Sequence, residues 1–367
     1  MRKFVVTLLL LVFAVVLVGC TPNPNADEKI VLITDKGDIT DKSFNQGAYE
    51  GVKAYAEAND IEYGYLKPAD ATDADYIDAI EQAITDGATI IVTPGYLFEP
   101  AINAVQGDYP DVYFIILDGS PANVTDGTLG SNVYSVFYAE EQSGFLAGYA
   151  AVMDGNRKLG FMGGMAVPAV QRFGHGFVQG VAKAAEELDL AANAITIQYL
   201  YTGDFSASPA VESAAATMFA SGVEVIFACG GSVGQSVMAA AASANKKVIG
   251  VDVDQSGDSN TVITSAMKNL AGSVEQALEA LFETGKWESD FGGKSVTLDA
   301  AREGVQLPIA TSRFTTFDAD DYEELYDKLV DGTFTVSNVI GAFGDDGTAS
   351  KQFETAKVKV TVILFEG

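Results

Sequence analysis

One pattern constrains this chain more than any other. Short β-branched runs alternate with helical stretches, and the whole alternation is written twice. The first series predicts strands over 29–34, 61–66, 89–93 and 112–117, with helices over 46–59, 73–86 and 99–107 between them. In the first of those helices Ala48, Val52, Tyr55 and Ala56 share one face, the spacing of a helix packed on a sheet. The second series places strands over 158–161, 195–201, 223–228 and 248–251, separated by helices over 168–188, 209–220 and 234–244. Strands alternating with helices pack as parallel sheets covered on both faces. Two such series predict an α/β protein with two doubly wound parallel-sheet lobes.

The remaining segments are read as connections. The segment over 132–137 lies between the two series and precedes a Gly/Ala-rich, close-packed helix over 139–153 that links the lobes. The segment over 261–265 and a helix over 271–284 carry the chain back. The tail, with a helix over 320–330 and a strand over 357–364, is expected to span both lobes. The resulting division is 29–137 plus about 266–300 for one lobe and 138–265 plus about 301–367 for the other, joined by a multi-crossing hinge.

Open parallel sheets bind ligands outside the carboxyl ends of their strands. The exits in the first lobe are Thr34-Asp35-Lys36-Gly37, Thr93-Pro94-Gly95-Tyr96 and Leu117-Asp118-Gly119. In the second they include Met162-Gly163-Gly164, Gly203-Asp204-Phe205-Ser206, Cys229-Gly230-Gly231-Ser232 and Val251-Asp252-Val253-Asp254. Glycine permits close backbone approach, and the acids supply acceptors. Asp118 and Asp252 close the fourth strand of each repeat and would face one cleft. Ser43 or Asn45 would cap the helix that follows the first exit. Phe44, a large aromatic in a polar loop, is either a lobe-packing residue or an aromatic face for a ligand, and Phe205 occupies a similar loop in the second repeat.

Composition thins the catalytic and cofactor readings. With 50 Asp+Glu against 22 Lys+Arg, a net charge of −28 opposes binding to nucleic-acid phosphates. Two cysteines and one histidine leave little for metal or triad chemistry, and no cofactor is expected. His175 on its helix is read as structural or cleft-lining rather than catalytic, and Cys229 as a small core residue. The stretch beginning Asp252-Val253-Asp254 imitates a calcium loop but carries Ile263 where the twelfth-position Glu belongs. At the N-terminus, Arg2 and Lys3 precede an apolar run over 4–18, as in a secretory signal. That run ends in Leu17-Val18-Gly19-Cys20, which resembles the bacterial lipobox. The likeness implies a signal peptide over 1–19, acylation of Cys20 and a polar, Pro-broken tether over 20–28 on the extracytoplasmic face of the cell membrane.

The stretch Asp41-Lys42-Ser43-Phe44-Asn45-Gln46 and the run Ile115-Ile116-Leu117-Asp118-Gly119 resemble the basic membrane lipoprotein family of bacterial solute-binding proteins. So do the segment over 138–147, Gly163-Gly164-Met165 and the strand end at Asp252, in family order along the whole mature chain. One departure follows Phe205, where Ser206-Ala207-Ser208-Pro209 stands in place of a segment often charged in the family. The resemblance implies the type I periplasmic-binding-protein fold and a monomeric receptor that delivers purine nucleosides to the permease of an ABC importer, with no catalysis. It also implies that Phe44 and a second aromatic, Phe205 or Phe177, sandwich the base, while Asp118 and Asn45 read its edge. Asp252, Gly231 and Lys268 would hold the ribose, with Asp35 completing the ligand-binding set. The alternatives are a sugar or signalling-molecule receptor of the same fold, or a nucleoside-processing α/β enzyme with Asp35, Asp38 and Asp41 as a metal cluster.

Overall fold

The computed structural model describes residues 25, 27–340, 351 and 353–366. The expectations for the signal segment and Cys20 fall outside them. In the first half, β1 (Lys29–Ile33), α1 (Phe44–Asn59), β2 (Glu62–Leu66), α2 (Asp73–Thr85), β3 (Ile90–Pro94), α3 (Glu99–Val105), β4 (Tyr113–Leu117) and β5 (Val133–Tyr138) follow one another. The second half runs α4 (Glu140–Met153), β6 (Lys158–Gly163), α5 (Pro168–Glu187), β7 (Ile195–Tyr201), α6 (Pro209–Ala220), β8 (Val225–Cys229), α7 (Val233–Ala244), β9 (Lys247–Asp252) and β10 (Val262–Lys268). After these come α8 (Leu270–Phe282), β11 (Lys294–Leu298), β12 (Val305–Gln306), α9 (Ala319–Val330) and β13 (Val358–Val362).

One sheet has the order β11-β5-β4-β3-β1-β2, with every pairing parallel. The other has the order β12-β10-β9-β8-β6-β7-β13, antiparallel only between β10 and β12. Reading β2-β1-β3-β4-β5 against β7-β6-β8-β9-β10 shows the same strand order in both halves. Central strands are buried on both faces, as β3 and β8 are throughout, which is why they read as unbroken apolar runs. Each large aliphatic side chain buried there contributes about 1.5–3 kcal/mol.

The chain passes between the sheets at β5→α4, at β10→α8 and between β11 and β12. These crossings are bonded to one another: Ala139 N donates to Leu298 O at 3.0 Å, and Asn269 N donates to Gly304 O at 2.9 Å. The Gly/Ala composition of α4 has a direct cause. A Cβ on Gly144 or Gly148 would lie 2.1 or 2.3 Å from a carbonyl oxygen of α5, and one on Gly176 or Gly180 within 1.9 or 2.0 Å of an α4 carbonyl. The two backbones touch, and their first turns stand side by side at the cleft.

Two expectations need correction. The tail does not span both lobes among the described residues: α9 packs against α4, and β13 pairs with β7 at the edge of the second sheet. The strands β11 and β12 were not expected. β11 is a sheet-edge strand of alternating exposure (Lys-Ser-Val-Thr-Leu), with no apolar run to announce it.

Candidate functional site

The carboxyl ends of both sheets face one cleft of about 610 Å³, inside the roughly 300–1,000 Å³ typical of small-molecule sites. Its walls come from the switch points of the two sheets: Asp35 and Tyr96 where β1 and β3 end, and Gly230 and Gly231 beyond β8. Of the residues expected in the site, Asp35, Phe44, Asn45, Asp118, Phe205, Gly231, Asp252 and Lys268 line it. They form two polar groups with an aromatic floor.

The first group lies at the start of α1. Asp41 caps that helix, its Oδ1 accepting from Ser43 N at 2.8 Å and Gln46 N at 3.1 Å. Its Oδ2 accepts from Asn45 N and from Asn45 Nδ2. The expected caps, Ser43 and Asn45, are thus recipients of the cap rather than its source, because Asp41 reaches three backbone N–H groups from one position. The Asn45 amide is in turn fixed against Asp35: Nδ2 donates to Asp35 Oδ1 at 2.9 Å, and Oδ1 accepts from Asp35 N at 3.2 Å. Burial pushes the Asp41 carboxyl up to about 6 and raises that of Asp35. Asp38 turns away to Lys67 and Thr40, so the three acids do not converge. Among the described residues no cluster of three metal-ligating side chains occurs.

The second group is a buried charge centre. Lys268, at the last position of β10, is 4% exposed. Its Nζ lies 2.6 Å from Asp118 Oδ2, 3.4 Å from Asp252 Oδ1 and 3.7 Å from Glu140 Oε1. Glu140, wholly buried, also binds Arg172 through Oε2 at 2.6 Å from Nε. Burial disfavours the charge on Lys268, but three carboxylates raise its pKa on balance. Burial pushes Asp118 up to about 7 despite the Lys268 ammonium. Glu140 is held below the ordinary glutamate range: burial opposes its charge, but Arg172 and Lys268 outweigh it. Asp118 and Asp252 both adopt positive φ, 55° and 66°, a conformation uncommon for residues other than glycine. One oxygen each of Asp118 and Glu140 has no hydrogen-bond partner among the described residues.

The expected grouping therefore changes. Asp118 stands with Asp252 and Lys268, whereas Asn45 stands with Asp35 on the other side.

The aromatic floor is Phe44, half-buried, with Lys268 Nζ 4.4 Å from its ring centroid. Phe205 lines the opposite loop, and Gly164 makes room for it, since a Cβ there would lie 2.4 Å from the Phe205 ring. Phe177 does not belong to the cleft: it is fully buried and packs on Phe227 at 5.4 Å beneath the glycines of α4. One turn earlier on α5, Phe173 lines the cleft instead, with Lys268 Nζ 5.4 Å from its ring. Sequence reasoning also missed Glu140 and Arg172 as members of the site. The available signal was position: both lie in the first turns of α4 and α5, nearest the strand ends. His175 is buried on the far side of α5, its Nδ1 3.1 Å from Val339 O, and Cys229 is buried at the end of β8.

A family model described as "ABC transporter substrate-binding protein PnrA-like" matches residues 28–339. The chain is 30% identical to a CD4+ T-cell-stimulating antigen of Listeria monocytogenes, over 91% of this chain and 98% of the relative. It is 29% identical to the ABC transporter nucleoside-binding protein BmpA of Lactococcus lactis, with the same coverage. Among solved structures, a solute-binding protein of an ABC transporter system from Aeropyrum pernix superposes with a TM-score of 0.74 at 20% identity, covering 89% of this chain and 98% of that one. One from Conexibacter woesei superposes at 0.68 and 22% identity, covering 86% and 100%. These structures are similar in fold, the type I arrangement of two parallel-sheet lobes.

Proposed function

Because this chain belongs to the PnrA-like family of ABC transporter substrate-binding proteins, which bind and do not catalyse, we propose that it captures purine nucleosides in the interlobe cleft and hands them to the permease of an ABC importer. One observation carries the reading: Lys268 held among Asp118, Asp252 and Glu140 beside the Phe44 ring. A carboxylate pair with an ammonium between them suits vicinal hydroxyls, which donate to the acids and accept from the lysine. An aromatic face beside that polar grip suits a flat heterocycle attached to the same sugar. The second polar group, Asp35 with Asn45, offers an acceptor and an amide to a base edge. In this reading Asp118 serves the ribose rather than the base, Phe44 stacks on the base, and Phe205 or Phe173 covers its other face.

The receptor is proposed to be a monomer, and the lipobox at Cys20 supports its tethering by an acylated N-terminus to the outer face of the cell membrane. Calorimetry with inosine, guanosine, adenosine, ribose and glucose tests the ligand class. Purine nucleosides should bind, with free ribose at least about a hundredfold weaker, because each half alone forfeits a few kcal/mol of contacts. Tight binding of ribose or glucose with no response to nucleosides replaces this reading with a sugar receptor.

A further inference from the structure

Ser43 is fully buried at the position that caps α1, yet its hydroxyl does not bond its own helix. Asp41 has taken over the cap, leaving the Ser43 Oγ to donate across the cleft wall to Asp252 Oδ2. The two residues belong to different lobes, Ser43 to the loop after β1 and Asp252 to the end of β9. Two further contacts tie the same loops. The Gln255 Nε2 donates to Lys42 O at 2.6 Å while its Oε1 accepts from Val251 N at 3.2 Å, and Lys42 Nζ lies 3.6 Å from Asp258 Oδ1. Gln255 is itself 1% exposed, so this bridge is built into the interior rather than laid on the surface.

We infer that Ser43 is a positioning residue that aims the Asp252 carboxylate at the ligand and does so only when the lobes are closed. The geometry divides the two oxygens of Asp252: Oδ2 is taken by Ser43, and Oδ1 turns toward Lys268. A carboxylate anchored through one oxygen presents the other at a fixed angle. Without the Ser43 hydroxyl it rotates and solvates, and the diol loses an oriented acceptor. Since the anchor comes from the first lobe and the acid from the second, opening the cleft releases the acid. Closure and acceptor geometry are therefore one event, and the bond favours the closed state before any ligand arrives.

The ligand part of this inference rests on the nucleoside reading above, and the test separates the two. In one arm, Ser43→Ala and the unaltered protein are titrated with inosine and 2′-deoxyinosine. Inosine affinity should fall about tenfold on loss of a bond to a charged acceptor, while 2′-deoxyinosine, which lacks one hydroxyl of the pair, should lose less than about threefold. A merely structural role would lower both alike. In the other arm no nucleoside is used. In a chain carrying Cys20→Ser, Glu81→Cys on α2 and Glu212→Cys on α6, both exposed, carry spin labels while buried Cys229 stays unlabelled. Interlobe distances in the ligand-free protein should shift toward longer values in Ser43→Ala. Unchanged distances, or equal losses for the two ligands, overturn the inference. If the unaltered protein binds neither ligand, the nucleoside reading fails, and the distance arm alone decides the role of Ser43.

Discussion

Replacing Lys268 by methionine keeps most of the side-chain volume and removes only the charge at the centre of the site. Three carboxylates, those of Asp118, Asp252 and Glu140, then face one another, with Arg172 bonded to Glu140 as the cation left beside them. Breaking a buried pair by removing one partner costs about 3–5 kcal/mol. At about 1.4 °C per kcal/mol for a chain of this size, the melting temperature should drop by roughly 4–7 °C at pH 8. The pH dependence carries the sharper test. The folded pKa of Lys268 is raised above its ordinary value, so its stabilisation is fully present between pH 5 and 8 and is lost only at much higher pH. Without it the Asp118 carboxyl rises further, and a carboxyl with a raised folded pKa destabilises above that pKa and ceases to below about 4. Since Asp118 already sits at about 7, the deficit in Lys268→Met should shrink as pH falls from 8 to 5. Scanning calorimetry across that range measures it. A deficit that is constant or grows toward acid refutes the assignment of Lys268 as counter-charge to these acids.

Binding itself should respond to pH in the opposite sense. Ribose hydroxyls require ionised Asp118, so inosine affinity should be flat above about pH 8 and fall by up to about tenfold per unit below about 7. That fall should be absent in Asp118→Asn. Phe44→Ala should weaken inosine, guanosine and adenosine alike by about tenfold in calorimetry, because stacking ignores the substituents at the base edge. Gly176→Ala, whose new Cβ would meet Glu141 O at 1.9 Å, should force α4 and α5 apart and destabilise by about 2 kcal/mol, read by denaturant unfolding. Cys20→Ala should move the protein from the membrane fraction to the soluble one, and unchanged retention removes the lipid anchor from the model of how the receptor is held.

Much of the architecture was legible because periodicity is a local property. β7 and α6 were expected over 195–201 and 209–220, the limits they have. The matching places of Asp118 and Asp252 followed from counting strands. What escaped were features decided by distant partners. The Lys268–Asp118 bond joins residues 150 apart, and the expectation for Lys268 came from a family resemblance rather than from any pattern around it. Phe173 and Phe177 are one turn apart and share a helix face, so spacing alone could not say which reaches the cleft; nearness to the strand ends decides it. Ser43 read as a cap because serine before a helix usually is one, and only the competing Asp41 carboxylate freed it for another role.

The two positive-φ aspartates, Asp118 and Asp252, hold equivalent places in the two repeats. Two repeats that each end a strand in the same acid would, left to themselves, present a ligand with a mirror of itself and no preferred way round. Lys268 stands outside both four-strand series, and it does not sit midway: it is 2.6 Å from Asp118 and 3.4 Å from Asp252. Asp252 spends Oδ2 on Ser43 and turns Oδ1 toward the lysine, whereas Asp118 holds the lysine through Oδ2 and keeps Oδ1 without a hydrogen-bond partner among the described residues, so the spare acceptor lies on the Asp118 side. A single off-centre charge thus turns a near-symmetric pair of jaws into a site with a head and a tail, and a molecule with two unlike ends enters it in one direction.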